Sequence, residues 1–226
     1  MMEKFGYFKT TDPQLLGLKF GNWGSRPYEY FWVTYVESVV DKDVFDLGTG
    51  VPSEHNWNEH VKINLKPSSY LGVDLDPRLK SEEINEPNHK MLWMNANNID
   101  LPDNSIDVIT SISTFEHIGD FDDFKQVMKE CNRVLRPGGK MVVTLDEYHD
   151  YKRTDALPWN ELEKARKRVG IFTEGRSYGI CDFALDISEF FTPCGIPPVK
   201  NNADPNILFS QVYNDCVSYG VFEVKK

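Results

Sequence analysis

The chain has 226 residues, 40% of them hydrophobic, enough for one domain with a full core. Its formal net charge is −10, with no basic run longer than the Lys164–Lys167–Arg168 neighbourhood, which argues against a nucleic-acid partner and an anionic membrane surface. Cys131, Cys181, Cys194 and Cys216 show no paired spacing, and no window has the apolar length of a signal peptide or a membrane span, so a reducing, cytoplasmic setting is expected.

The first 42 residues read as an N-terminal cap segment, aromatic and irregular around Trp23, Arg26 and Tyr28. They become helical from about Tyr28 to Val40, where Phe31, Tyr35, Val36 and Val39 share a face. A first strand is predicted at 43–47 and ends in Asp46-Leu47-Gly48-Thr49-Gly50. Ser53 then caps a helix reaching Leu65, with Trp57, His60, Val61 and Leu65 at helical spacing. A second strand at 70–74 ends on Asp74 and is broken by Asp76-Pro77; a polar loop leads to a short third strand at Lys90–Met94.

After a turn-rich connection, the β-branched run Ile106–Ser111 is the fourth strand. A helix starts at Asp120, with Asp123 as its capping-box partner, and stops at Arg136-Pro137-Gly138-Gly139 before a fifth strand at Lys140–Leu145. A charged helix is expected at 158–169, a substrate cap at 170–205, and an antiparallel pair at 207–213 and 218–224. The whole chain is thus one domain: cap segment 1–42, cofactor-binding core 43–146, substrate cap and closing strands 147–226. The fold class is α/β, a doubly wound and mostly parallel sheet with an antiparallel C-terminal strand pair.

Two apolar strands ending in Asp46 and Asp74, the first followed by a glycine turn, suit a ribose-bearing ligand at a parallel sheet's tips. Glycine lets backbone approach the ligand, and a carboxylate accepts from both ribose hydroxyls. A dinucleotide would need a further glycine and a pyrophosphate cradle, but Pro52 follows Gly50 by two, and no Walker-type Gly-Lys-Ser/Thr is present. A nucleoside without phosphates fits better, and S-adenosyl-L-methionine is one.

With the elements placed, the chain resembles the class I S-adenosylmethionine-dependent methyltransferases. The matching residues are Asp46-Leu-Gly48-Thr-Gly50, Gly72-Val-Asp74-Leu-Asp76-Pro77, and Asn95-Ala96-Asn97-Asn98 leading to Leu101-Pro102-Asp103. They continue as Ser113-Thr-Phe115-Glu116-His117-Ile118-Gly119 and Arg133-Val-Leu135-Arg-Pro137-Gly138-Gly139. The resemblance covers roughly residues 43–146 and implies a Rossmann-like methyltransferase fold. It also implies that Gly48, Thr49 and Gly50 line the methionine and ribose, that Asp46 faces the amino end, that Asp74 binds the ribose hydroxyls, and that Leu75 is among the cofactor contacts. Asn95, Ala96 and Asn97 would surround the adenine, and Ser111 would complete the set. Pro52 and a long segment before Asp74 depart from the family's pattern at the methionine end. Arg26–Tyr30 and Phe115–Gly119 are similar to sugar- and polysaccharide-tailoring methyltransferases, which points to a glycan or small-molecule hydroxyl as acceptor.

A sugar hydroxyl is a poor nucleophile at neutral pH, so a base is expected at the strand tips. His117 has the ordinary pKa for the task, and Glu116 either orients it or acts itself; a loop histidine that merely packs is the plain alternative. Asp146 and His149, beside Tyr148, form a second catalytic set after the fifth strand. No metal site is assigned, the alternative being magnesium held by Asp146, Glu147, His149 or Asp150. Other readings are a methyltransferase of another small molecule, a nucleoside-binding domain without catalysis, or an NAD-dependent oxidoreductase or epimerase. The last would use a Tyr-x-x-x-Lys pair such as Tyr148 and Lys152.

Overall fold

The computed structural model describes residues 38–54, 56–118, 121–148, 192–193, 210–213 and 216–225, together with 29, 30 and 33. Side chains at 64, 116, 121 and from 145 onward fall outside that description. So do His149, Asp150, Lys152, the helix expected at 158–169 and the cap expected at 170–205.

The first strand, β1 (Asp43–Leu47), pairs in parallel with β2 (Ser69–Asp74) on one side and with β5 (Ile106–Ile112) on the other. Outside β2 lie β4 (His89–Trp93), parallel to it, and then the antiparallel edge strand β3 (Ile84–Glu86). Outside β5 lie β6 (Leu135–Tyr148), parallel to it, and the antiparallel β9 (Cys216–Lys225). β9 also pairs with β7 (Thr192–Pro193) and with β8 (Ser210–Tyr213), and β8–β9 is the expected closing pair. The order is therefore β3-β4-β2-β1-β5-β6-β9-β7. The chain builds outward from β1 to β4, then returns to the opposite side as β5. That reversal opens a crevice between the carboxyl ends of β1 and β5, where parallel sheets bind ligands.

Both faces of the central strands are buried among the described residues, and strand alternation shows it. Val44, Val108 and Val142 enter one hydrophobic cluster, while their neighbours Phe45, Ile109 and Met141 enter the other. The second cluster is closed by the helix α3 (Phe121–Val134), whose Phe124, Val127, Met128, Cys131 and Val134 recur at helical spacing and are at most 2% exposed. On the first face, Tyr30, Val33, Trp57 and Val61 cover the sheet.

Several expectations shift in position. The helix before β1 has ended by residue 38, short of Val40. Ser53 caps nothing: the helix α1 (Trp57–His60) has Asn56 at its N-cap with no side-chain bond, and continues as the π-helical Val61–Leu65. Ser53 instead gives its N–H and its hydroxyl to the two oxygens of Glu82, on the short helix α2 (Leu79–Glu82). Asp123 accepts from the Asn97 amide at 2.6 Å, and its expected partner Asp120 lies outside the described residues. The Arg-Pro-Gly-Gly run ends α3 as expected, yet β6 already begins at Leu135, paired with Ile106 across a register shift. Arg136 there bonds Asp43 and Asp107 at 2.8 and 2.6 Å, tying β1, β5 and β6 at the sheet's other end.

Candidate functional site

The glycine turn follows from the end of β1. Gly48 and Gly50 have φ of +78° and +70°, in the left-handed region that side-chain-bearing residues avoid. The hydrogen bonds of this turn decide what it can bind. Gly48 and Thr49 both donate their N–H to the Val73 carbonyl, at 2.9 and 3.1 Å, and Gly50 donates to Asp74 Oδ2 at 2.8 Å. Pro52 has no N–H, and that of Ser53 is held by Glu82 at 2.9 Å. These donors are pointed at protein acceptors, so no ring of N–H groups is left for a pyrophosphate.

Asp74 is half-buried at the tip of β2. Its Oδ2 accepts from Gly50 and its Oδ1 from Asp76 N–H, both at 2.8 Å. A carboxylate has about four lone-pair sites, so two backbone bonds orient it and leave each oxygen able to accept once more. Leu75 follows, 53% exposed, an apolar surface beside that carboxylate.

Asp46 is deeper, at 2% exposure. Thr110 donates to its Oδ1 at 2.6 Å and Tyr70 to its Oδ2 at 2.7 Å, while Thr49 Oγ1 lies 2.8 Å from the Tyr70 oxygen. Burial raises the Asp46 carboxyl above the ordinary carboxylate range, and the bonds from Thr110 and Tyr70 oppose that shift. Burial, and the Asp46 charge next, also push the Tyr70 phenol well above its usual value, so it stays a donor.

One cavity of about 580 Å³, an ordinary size for a small-molecule site, joins these groups. Its walls include Asp46, Gly48, Thr49, Gly50, Asp74, Leu75, Asn95, Ala96, Asn97 and His117, ten of the residues singled out in the sequence. The order of strand tips lays them out in sequence: Asn95–Asn97 after β4, Asp74 on β2, Asp46 and the glycine turn on β1, and Ser113, Thr114 and His117 after β5. Asn95 Oδ1 caps the Asn97 N–H at 2.9 Å, and Gln126 on α3 donates to the Asn97 carbonyl at 3.0 Å. The loop that would meet a flat base is thus fixed on both sides.

Ser111 is not on the wall. It is fully exposure-free inside β5, its hydroxyl has no hydrogen-bond partner, and the lining passes instead through Ile112, Ser113 and Thr114. Strand alternation explains this: residue 111 turns into the packed face, and the chain leaves the strand after 112. Glu116, Asp146 and His149 cannot be placed with His117, because their side chains lie outside the described residues. Sequence reading passed over two wall residues, Tyr30 and Trp57, whose rings stack at 4.7 Å. Helical spacing marked Trp57 only as a packing residue, and Tyr30 entered only as the last member of the Arg26–Tyr30 stretch. Among the described residues no cluster of three or more His, Cys, Asp or Glu could hold a metal ion, and no helix is long and apolar enough to cross a membrane.

Comparison with known proteins now bears on these walls. Residues 45–143, from β1 to β6, match the family model described as a methyltransferase domain. This core is similar to a methyltransferase domain. S-adenosyl-L-methionine is the cofactor that this match implies. A curated protein of Mycolicibacterium smegmatis, described as an S-adenosylmethionine-dependent methyltransferase, is 26% identical over 166 residues, which are 73% of this chain and 62% of that protein. The chain therefore spans less than two thirds of that relative's length. A structure from Listeria monocytogenes, assigned as an S-adenosylmethionine-dependent methyltransferase, superposes with a TM-score of 0.54 at 13% identity, over 88% of this chain and 98% of that one. A structure from Galdieria sulphuraria, assigned as a sarcosine dimethylglycine methyltransferase, gives 0.50 at 21% identity, over 70% of this chain and 57% of that one. These structures establish the Rossmann-like methyltransferase fold.

The residues present fit the cofactor. Asp74 keeps acceptor capacity for ribose hydroxyls, Leu75 offers exposed apolar surface for the base, and the glycine turn presents no anion nest that a phosphate-free nucleoside would leave unmet.

Proposed function

We propose that this protein transfers a methyl group from S-adenosyl-L-methionine to a hydroxyl oxygen, with a sugar hydroxyl as the acceptor class. The observation that carries the reading is the glycine turn whose N–H groups are spent on Val73 and Asp74, next to a carboxylate with unspent acceptors. Such a wall suits a ribose without phosphates and leaves a dinucleotide's pyrophosphate unpaired. That disfavours the nicotinamide alternative.

The bound cofactor supplies a sulfonium methyl already activated for in-line displacement. The protein's part is alignment, exclusion of water and removal of one proton. Asp74 accepts from the ribose hydroxyls, Leu75 and Ala96 cover the adenine, and Asn95 takes its exocyclic amine through the amide oxygen. Asp46 lies toward the ammonium end, where its negative charge is favourable. His117, on the wall after β5, would take the acceptor's hydroxyl proton at a ring nitrogen.

Two features bear on the acceptor. The described lining holds five acids, Asp46, Glu54, Asp74, Asp76 and Asp123, and no Lys or Arg, which opposes an anionic substrate. The Arg26–Tyr30 and Phe115–Gly119 stretches are similar to those of sugar-tailoring methyltransferases. Titration calorimetry with S-adenosylhomocysteine and with NAD tests the cofactor: binding of the first and not the second is expected, and the reverse defeats the proposal. Mass spectrometry of glycans, small alcohols and amines incubated with labelled methyl donor tests the acceptor. Label on an amine nitrogen, the chemistry in the Galdieria protein's description, would replace the hydroxyl reading.

A further inference from the structure

A buried carboxylate outside the cofactor wall ties three separate parts of the chain together. Glu29, from the segment before β1, has no exposed surface. Its Oε2 accepts from Ser113 Oγ and from Thr144 Oγ1, both at 2.6 Å. The Ser113 N–H in turn donates to the Thr144 carbonyl at 3.0 Å and to Thr144 Oγ1 at 3.1 Å. Each hydroxyl hydrogen of Ser113 and Thr144 is thereby spent on Glu29, and the tips of β5 and β6 are cross-linked by a residue from the other end of the sequence.

Ser113 is the strained member. Its φ is +46°, in the left-handed region that a side-chain-bearing residue adopts only under strain. Such a conformation persists only where its surroundings over-determine it. From this residue the chain turns sharply into the cavity wall. Thr114 places its hydroxyl against the Leu47 and Ile112 carbonyls, each at 3.2 Å, and Phe115 is buried edge-on to Phe124. His117 N–H closes the turn on the Thr114 carbonyl at 2.9 Å. Beside Glu29, Tyr30 is itself a wall residue stacked on Trp57.

We propose that Glu29 is a positioning residue for the acceptor end of the cavity: its carboxylate holds Ser113 in the left-handed conformation from which Thr114 and His117 reach the wall. The same contact makes docking of the segment carrying Tyr30 a condition for that wall to form. The consequence for turnover rests on the methyl-transfer reading above, but the structural claim does not.

The test uses the full chain with selectively labelled histidines, the His117 ring signals being identified by their absence in His117→Gln. In Glu29→Ala, the His117 signals should shift or broaden while those of His60 and His89 stay in place. Glu29→Gln keeps an oxygen able to accept from both hydroxyls and should leave His117 as in wild type. Adding Ser113→Gly to Glu29→Ala should restore the signals in part, since glycine takes a positive φ without strain. Affinity for S-adenosylhomocysteine should change less than His117's signals do, because the bonds of Gly48 and Thr49 to Val73 and of Gly50 to Asp74 do not involve Ser113 or Thr114. With an acceptor in hand, Glu29→Ala should lower kcat by about 100-fold at unchanged cofactor KM, the scale for misplacing a reacting group. If Glu29→Ala does not fold, Thr144→Val removes one of the two donors and carries the same readout. Unmoved His117 signals in either variant, or histidine signals that all move together, overturn the proposal. A wild type that does not bind S-adenosylhomocysteine would sink the cofactor reading while leaving this result interpretable.

Discussion

Gly48→Ala is the substitution whose cost the structure specifies most closely. An ideal Cβ at this position would lie 1.9 Å from Thr114 Oγ1, 2.4 Å from its Cγ2 and 2.6 Å from its Cβ, far inside contact distance. Thr114 cannot swing away freely, since its hydroxyl bonds the Leu47 and Ile112 carbonyls. Overpacking of this kind costs about 1–3 kcal/mol. The backbone adds its own term: at φ +78° an alanine loses roughly 1–2 kcal/mol relative to glycine. The expected loss is therefore about 2–5 kcal/mol of folding stability, read from urea unfolding of both proteins. Pairing the change with Thr114→Gly separates the terms. Thr114→Ala would not suffice, because its Cβ is itself within 2.6 Å. The steric part should be recovered in the double variant and the backbone part should remain, giving a favourable coupling of about 1–3 kcal/mol. A Gly48→Ala protein within 0.5 kcal/mol of wild type would refute the reasoning, as would a double variant showing simple additivity, about 0.5 kcal/mol being the scatter for independent sites.

Three further outcomes are expected. Asp74→Ala should weaken S-adenosylhomocysteine binding by about 1–3 kcal/mol in calorimetry, the loss of a charged hydrogen-bonding partner, and unchanged binding removes Asp74 from the site. Asp46→Asn should gain stability relative to wild type as pH rises. Burial raises the Asp46 carboxyl, so its contribution is present below the ordinary carboxylate range, near about 3.9, and is lost as pH climbs through the folded value. A stability difference that stays flat with pH in denaturant titrations contradicts this. His117→Ala should lower turnover by about 10²–10⁴-fold with cofactor affinity unchanged. Full activity there shifts the base to the segment around Asp146 and His149.

What the sequence made legible is what periodicity and punctuation encode. Val44–Leu47, Tyr70–Asp74 and Ile106–Ile112 are apolar runs bounded by turns, and each is a central strand of the sheet. Edge elements were not legible. Ile84-Asn85-Glu86 has neither alternation nor β-branched enrichment, and it forms β3 because β4 presents an open edge and Pro87-Asn88 turns the chain back onto it. The long-range bonds escaped as well. Nothing local in Ser53 announces Glu82, and a serine before an apolar helical pattern reads as a cap until the tertiary acceptor is seen. At the site, the glycines and Asp74 could be named because their chemistry is local to a strand tip. Glu29 could not be assigned a role, because its partners lie 84 and 115 residues away.

The glycine turn and Asp74 are better understood as one unit than as two motifs. Gly50 gives its N–H to the very carboxylate proposed to bind ribose, so the turn's conformation and the orientation of Asp74 are set by the same bond. Asp76 N–H fixes the other oxygen, and Arg78 then bridges Asp76 to Glu54 on the far side of the turn. A chain of alternating donors and acceptors thus runs from β1's turn to the loop after β2. Its cost is the loss of free backbone donors that a phosphate would need. Its gain is a carboxylate whose remaining lone pairs are already aimed, so that little rotamer freedom is left to lose on binding a diol. On the proposed reading, selection of a phosphate-free nucleoside would follow from that arrangement of hydrogen bonds, and Pro52, with no N–H to offer, would be no handicap at a position where a nucleotide-binding turn would require glycine.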